Sequence, residues 1–426
     1  MIDCPGGFNA ARIKKVRIAM KPLEGILVID MTQFMSGPLC TMTLSDLGAD
    51  VIKFERPPVG DTSRYSPPGK DGASSYFISL NRNKKSVLLN LKDPAQKQAF
   101  LEIVKKADIL VENYKPGTME KFGCGYDSLK EINPRLVYGA ISGYGQTGPL
   151  SKKGAYDLVI QAESGLMSIT GERGGQPLKT GTSSSDLIAG LFMTIGILAA
   201  LRKAQMTGEG DYVDVAMLDA SFASLENAVS RYLLTGIVPK PLGNRHPSSV
   251  PFQPFDTSDG KLFVCCISDA NWYTFARAIG RDDLADDERF KTMNLRNRNI
   301  EILDSLVQEE LNHWTTADLI KALDAAGVVN GQINTIDKAC EMPQILARDM
   351  IMNVSFPGAK KPLQTSASPI KMRSYKAETN SYCPQLGENT VEVMTKLGGM
   401  TEEQVQEVYK DIFPAVEETV KAKSIY

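Results

Sequence analysis

Between residues 26 and 141 the chain keeps switching between short apolar runs and capped helical stretches, and this rhythm limits its fold more than any other feature. Ile26–Asp30, Val51–Phe54, Val87–Leu91, Ile109–Val111 and Leu136–Ile141 each read as a short buried strand. Pro38–Leu47 reads as a helix stopped by Gly48. A second helix opens at Asp93-Pro94 and runs to Lys106, with proline at a favoured first-turn position. Further on, Asp211–Leu218 predicts a strand and Ala220–Thr235 a helix. Such alternation predicts an α/β fold with a mostly parallel sheet covered on both faces. Ligands of such sheets bind beyond the strand C-termini, which directs attention to loops 32–38, 55–64, 113–117 and 142–148.

A chain of 426 residues exceeds one ordinary core. The Pro/Gly-rich stretch 237–247 reads as a linker, followed by a smaller α+β unit. That unit has strands at 254–255 and 261–267 around an Asp259-Gly260 turn, and helices at 271–279, 297–308 and 316–326. A second linker is expected at 329–345, then a strand near Met352–Phe356 and helices from Asn389 and Thr401. The expected division is an extension at 1–19, a large domain at 20–225, a small domain at 226–345 and a C-terminal part at 346–426. Residues 1–19 carry Arg12, Lys14, Lys15 and Arg17 but no apolar run long enough for a secretory signal, and read as lying outside the fold.

A net charge of −2 without a long basic run argues against nucleic acid or an anionic membrane as partner. The longest apolar stretch, Leu187–Leu201, reads as too short to span a bilayer. Seven cysteines, an odd number without a C-x-x-C pair, fit reduced thiols in a cytoplasmic setting. With only His246 and His313 available, a His-rich metal site is excluded and no metal is expected.

Asp186 ends the small polar run Thr180–Ser185, where the N-cap or first turn of an apolar helix should lie. It reads either as a simple cap or as a carboxylate poised as nucleophile. Gly143-Tyr144-Gly145-Gln146-Thr147-Gly148 matches the spacing of a dinucleotide fingerprint after a strand. However, Pro149 and Gly154 follow and no helix opens until about Asp157, which argues against an NAD-dependent oxidoreductase. Asp157 reads as a helix cap, and Gln161 and Glu163 sit among apolar neighbours, where a polar group needs partners. The basic run Asn81–Ser86 reads as a solvated face or, with Arg56 and Lys92, as a phosphate holder. His246, in a turn, reads as structural.

Pro22–Asp30, Gly37-Pro38, Leu47–Arg56, Asn83–Ser86, Asp108–Gly117, Ser142–Gly145, the Asp186 segment and Leu386–Thr390 together resemble the class III CoA-transferases, from about Leu23 onward. The resemblance implies a Rossmann-like large domain built from both chain ends, a small domain between linkers, and an interlocked homodimer. It implies an acyl-CoA:carboxylate CoA-transferase in which Asp186 attacks the thioester and carries an aspartyl-CoA intermediate. The coenzyme A thioester is then substrate, and no permanently bound cofactor is expected. By the same resemblance Arg56, Leu89, Lys92, Asn113 and Tyr114 fall at the CoA groove. Lys121 replaces an arginine of the oxalate enzyme, keeping charge but losing the bidentate fork. Met35 stands near the reacting centre, and amides around Gly143, Tyr144 and Gly145 are expected as oxyanion donors. Met35 and Ser142 replace a glutamine and a lysine of the oxalate enzyme, and a four-glycine run is missing; both argue against oxalate. The 2-methylacyl-CoA racemases share this fold but hold a histidine where this chain has Tyr156, a poor base at neutral pH.

Overall fold

The computed structural model describes residues 20–376 and 378–423, so the extension expected at 1–19 lies outside the described residues. Two compact units are present. The first takes the chain to Ile160, then Ser183–Ser224, then Ala347 onward; the second takes Gln161–Thr182 and Leu225–Leu346. The stretch Gln161–Thr182, which the sequence places inside the large domain, thus leaves it.

The first unit is built on six parallel strands: β1 (Leu27–Met31), β2 (Asp50–Glu55), β3 (Lys84–Leu88), β4 (Ile109–Glu112), β5 (Val137–Ser142) and β6 (Tyr212–Ala216). Their order is β3-β2-β1-β4-β5-β6. This is the doubly wound arrangement, with its switch point between β1 and β4. The principal helices are α1 (Ser36–Asp46), α2 (Ser75–Asn81), α3 (Pro94–Val104), α4 (Asp157–Glu163) and α5 (Ser184–Thr207). The central strands β1, β4 and β5 are buried on both faces, as the apolar runs of a parallel sheet require. One face packs Phe54, Leu88 and Phe100 against Met394, Val405 and Tyr409 of the C-terminal helices. The other packs Val28, Val51 and Val137 against Leu44, Met193 and Ile197 of α1 and α5. All six strands come from the part before residue 217. The C-terminal part adds helices and a separate three-stranded sheet (Ile351–Ser355, Leu363–Ser366, Asn380–Tyr382). It also covers the edge strand: Asn389 Oδ1 accepts from Ser86 N (3.0 Å) and Thr390 Oγ1 from Leu88 N (3.0 Å).

Several expectations need correction. β3 begins at Lys84, inside the run that reads as solvated or phosphate-holding. The alternation explains this: Arg82 is buried on Asp46 (2.6 Å), Lys84 is buried on Asp30 (2.9 Å), and Lys85 reaches the surface to Glu392 (2.9 Å). Two of the three cations are consumed internally. The helix expected at 220–235 breaks into Met217–Ser224 and Asn227–Thr235, with Glu226 at φ 38° where the chain passes from one unit to the other. The helix holding Leu187–Leu201 runs for 24 residues, long and apolar enough to cross a bilayer by length and composition. In the first unit one face of it packs into the core through Ala189, Met193, Ile197 and Leu201.

The second unit has a three-stranded antiparallel sheet with Lys261–Cys265 between Phe252–Asp256 and Val329–Gln332. Val329–Gln332 was expected as linker; its Val-Asn-Gly-Gln sequence carries little strand propensity, and pairing with the central strand overrides it. Trp272, Phe275, Phe290, Leu303 and Val307 fill this core. His246 is structural here: its Nδ1 accepts from the amides of Ser248 (3.2 Å) and Ser249 (3.0 Å), and its ring stacks on Phe252.

Candidate active site

The switch point is organised by one amide side chain. Asn113, just past β4, accepts from Gln33 N (2.8 Å) and donates to Gln33 O (2.8 Å), holding the loop that follows β1. That loop is anchored from below. Asp30 accepts from Thr32 N (2.9 Å) and from Lys84 Nζ (2.9 Å), and Lys53 donates to Thr32 O (2.7 Å) while pairing with Asp61 (3.0 Å). Burial of Lys84 pulls its ammonium down to about 8 against the opposing pull of Asp30. Burial acts in the same direction on Lys53, yet Asp30, Asp61 and Glu55 win and raise it. Within the loop Phe34 adopts φ 62°, a left-handed conformation rare for a bulky residue. The loop delivers Met35 and then Ser36, the first residue of α1.

Asp186 lies in the first turn of α5, whose N-cap is Ser183. Asp186 is therefore not the cap. Its own amide (3.3 Å) and that of Ser185 (2.9 Å) donate to Asp157 Oδ1, so a residue at the start of α4 satisfies the end of α5. Burial is the main influence on the Asp186 carboxylate and the charge of Asp157 adds; together they push the carboxyl up to about 6, while the polar groups of Ser36 pull the other way. One turn further along α5, Gly190 lets the helices touch: a Cβ there would meet Ser36 O at 2.5 Å. Gly139 does the same for β5, where a Cβ would lie 2.7 Å from Met193 Sδ.

Of the residues expected at a CoA groove, Lys92 and Lys121 are both exposed. They line one open groove of about 670 Å³ with Lys97, Leu91, Pro94 and Phe122. Lys97, on α3, carries no motif and was missed; its only signal is that it is a second lysine five residues from Lys92. Arg56 is exposed one residue beyond β2. Leu89 does not fit the expected role by its side chain, which is buried in the core; its N–H donates to Glu55 O (2.9 Å). Tyr114 packs against the core and its hydroxyl meets the Gln33 side chain. Gly143 lies against Ala155, two residues before Asp157: a Cβ there would be 2.5 Å from Ala155 Cβ. Tyr144 is buried beneath the Lys153 ammonium, 5.1 Å from its ring. Gly145 takes φ 83° beside Asp214, which accepts from Gln146 N (3.0 Å). A loop amide held by a carboxylate and no helix at Gly148 are both contrary to a dinucleotide fingerprint. Ser36, which the sequence reading overlooked, acts on the Asp186 carboxylate in favour of its charged form. Tyr156 is exposed.

The comparisons agree with this geometry. The family model for CoA-transferase family III matches residues 23–390. The acetyl-CoA:oxalate CoA-transferase of Acetobacter aceti is 40% identical over 83% of this chain and 90% of its own length. The succinyl-CoA:mesaconate CoA-transferase of Haloarcula marismortui is 38% identical over 89% of this chain and 97% of its own. A solved structure of a CAIB/BAIF family protein from Brucella suis is similar with a TM-score of 0.80 and 34% identity, covering 89% of this chain and 100% of that one. The chain is an enzyme of CoA-transferase family III.

Proposed function

We propose that this enzyme moves CoA from an acyl-CoA to a free carboxylate through an aspartyl-CoA thioester on Asp186. The observation that supports this reading is the Asp186 carboxylate itself: half-buried in the first turn of α5, and carried by a unit whose described residues include no histidine. The carboxylate attacks the thioester carbonyl, giving a mixed anhydride and free CoA thiolate. The thiolate then adds to the Asp186 acyl carbon and expels the donor acid, and the acceptor carboxylate reverses the two steps. No proton transfer is needed, so the absence of a general base is no handicap. The acids are proposed as short or medium carboxylates, a class that includes those named for the relatives.

The lysine groove is proposed to hold the anionic end of CoA. Replacing Lys92 and Lys121 together with alanine should raise KM for acyl-CoA by roughly 10- to 100-fold, with kcat little changed. Steady-state kinetics at two salt concentrations checks this, since the wild-type KM should also rise with salt. A second copy of the chain is proposed to cover the apolar surface left open. α5 exposes Leu191, Phe192 and Ile195, and the region after Asn227 exposes Leu233, Leu234, Ile237 and Val238, with Leu234 at 86%. This favours the interlocked homodimer, which light scattering would report as twice the chain mass.

Mass spectrometry of the intact protein after incubation with a panel of acyl-CoAs and trapping by hydroxylamine tests the central claim. A donor-dependent change on the Asp186 peptide supports it. CoA binding without any such change would make the protein a binder, or a racemase-like isomerase, instead.

A further inference from the structure

Three adjacent strands place two acidic side chains on one rung of the large sheet. Glu112 pairs with Ala140, and Ala140 with Asp214, across β4, β5 and β6. Neighbouring strands lie about 4.8 Å apart, so the two carboxyls flank the methyl of Ala140 on one face. Alternation puts Tyr138 and Ser142, two residues before and after Ala140, on that same face. Tyr138 is 1% exposed and Ser142 7%, yet neither Tyr138 Oη nor Ser142 Oγ has a hydrogen-bond partner among the described residues. Loops close over the rung from both sides. Tyr114 N donates to Glu112 Oε2 (2.6 Å), and Gln146 N donates to Asp214 Oδ2 (3.0 Å). Gly145 seats its loop on the end of β6, where an added Cβ would lie 3.5 Å from Ala216 Cβ. The ring of Tyr212, stacked on Tyr138 at 5.5 Å, walls the lower side. Glu112 is itself 6% exposed, and the charges that act on it are Glu120 and Asp214, both of its own sign.

A buried carboxylate needs a counter-charge, and a buried hydroxyl without a protein partner calls for a water or an ion. We propose that this rung binds one monovalent alkali cation of the potassium kind, held by Glu112, Asp214, Tyr138 Oη and Ser142 Oγ. The donor set is all oxygen, which suits a hard cation rather than a thiolate- or imidazole-seeking metal. Among the described residues no three His, Cys, Asp or Glu side chains are grouped to hold a metal, so the rung does not match a divalent ion. Two carboxyls and two neutral hydroxyls match a single positive charge with tolerant geometry. Such an ion offsets the like charges of Glu112, Asp214 and Glu120 and gives both hydroxyls a partner. It also ties together two loops beyond the strand C-termini: the turn after β4, which carries Asn113, and loop 143–148. Nothing in CoA transfer calls for this ion, so the site stands apart from the transfer reading.

Equilibrium dialysis of the full chain against radioactive rubidium chloride, with rubidium standing in for potassium, tests this. The wild type should bind one ion per chain, displaced by potassium and not by tetramethylammonium. Glu112→Gln and Asp214→Asn keep an acceptor for Tyr114 N and Gln146 N but lose the charge. Each should weaken rubidium binding by roughly 10-fold or more. The urea midpoint of the wild type should also rise when potassium chloride replaces tetramethylammonium chloride at equal ionic strength, and the variants should not respond. Should one variant fail to fold, the other decides. A wild type that binds no rubidium overturns the inference and leaves ordered water as the partner of the two hydroxyls. Rubidium bound equally by the wild type and a folded variant overturns it too, because the ion then sits elsewhere.

Discussion

Asp186→Asn is expected to abolish CoA transfer, by roughly a thousand-fold or more, while making the protein harder to unfold at pH 8. The amide cannot form the anhydride. It also removes a charge that the fold holds at a cost, since burial and Asp157 raise the carboxyl from 3.8 to about 6. A group raised in the folded state lends stability that is fully present below its unfolded value and lost as pH climbs through its folded value. For Asp186 that window runs from about pH 4 to about pH 6. Above it the wild type carries the penalty and the asparagine variant does not. The variant should gain about 1–3 kcal/mol at pH 8, and the gain should vanish below about pH 4. Urea unfolding at the two pH values checks the sign. A residue that only served the helix would show neither effect, because asparagine caps as well as aspartate. By the same reasoning wild-type kcat/KM should rise with pH through about 6 and then level off, as the ionised form is the nucleophile.

The largest loss of stability should come from a residue that never meets substrate. Lys84→Met is expected to cost about 3–5 kcal/mol, because it strands Asp30 in the core. Lys84 Nζ contacts Asp30, Thr41 (2.8 Å), Asn81 (2.9 Å) and Pro38 O (3.1 Å), so its loss leaves several acceptors unmet at once. Adding Asp30→Asn should recover part of the loss, since the amide keeps an acceptor for Thr32 without a buried charge. A double variant less stable than Lys84→Met, measured by chemical unfolding, would refute this account. Because Asp30 shapes the loop that delivers Ser36, the single variant should also lose transfer activity.

Much of this was legible in the residues. The apolar runs located β1, β2, β4 and β5 to within a residue or two, and Asp93-Pro94 marked the start of α3 because capping is local chemistry. Asp186 stood out because a polar run stopped against an apolar one. What stayed hidden depends on partners far along the chain. Lys84 and Lys85 are chemically alike, and only the pleat of β3 sends one inward. Gly190 is an unremarked glycine in an apolar run; only the fold shows that it lets α5 come against Ser36, over 150 positions earlier. The excursion 161–182 carries turn residues at 171–177, but such composition marks a loop and does not say to which unit the loop belongs.

The bond from Asp157 to the amides of Ser185 and Asp186 has a consequence for how such an enzyme diversifies. The chain departs at Ile160 and is back at Ser183, and the stalk of that detour is tied shut by these hydrogen bonds. Loop closure depends only weakly on the length enclosed. Residues can thus be added to or trimmed from the detour while the Asp186 carboxylate keeps its address.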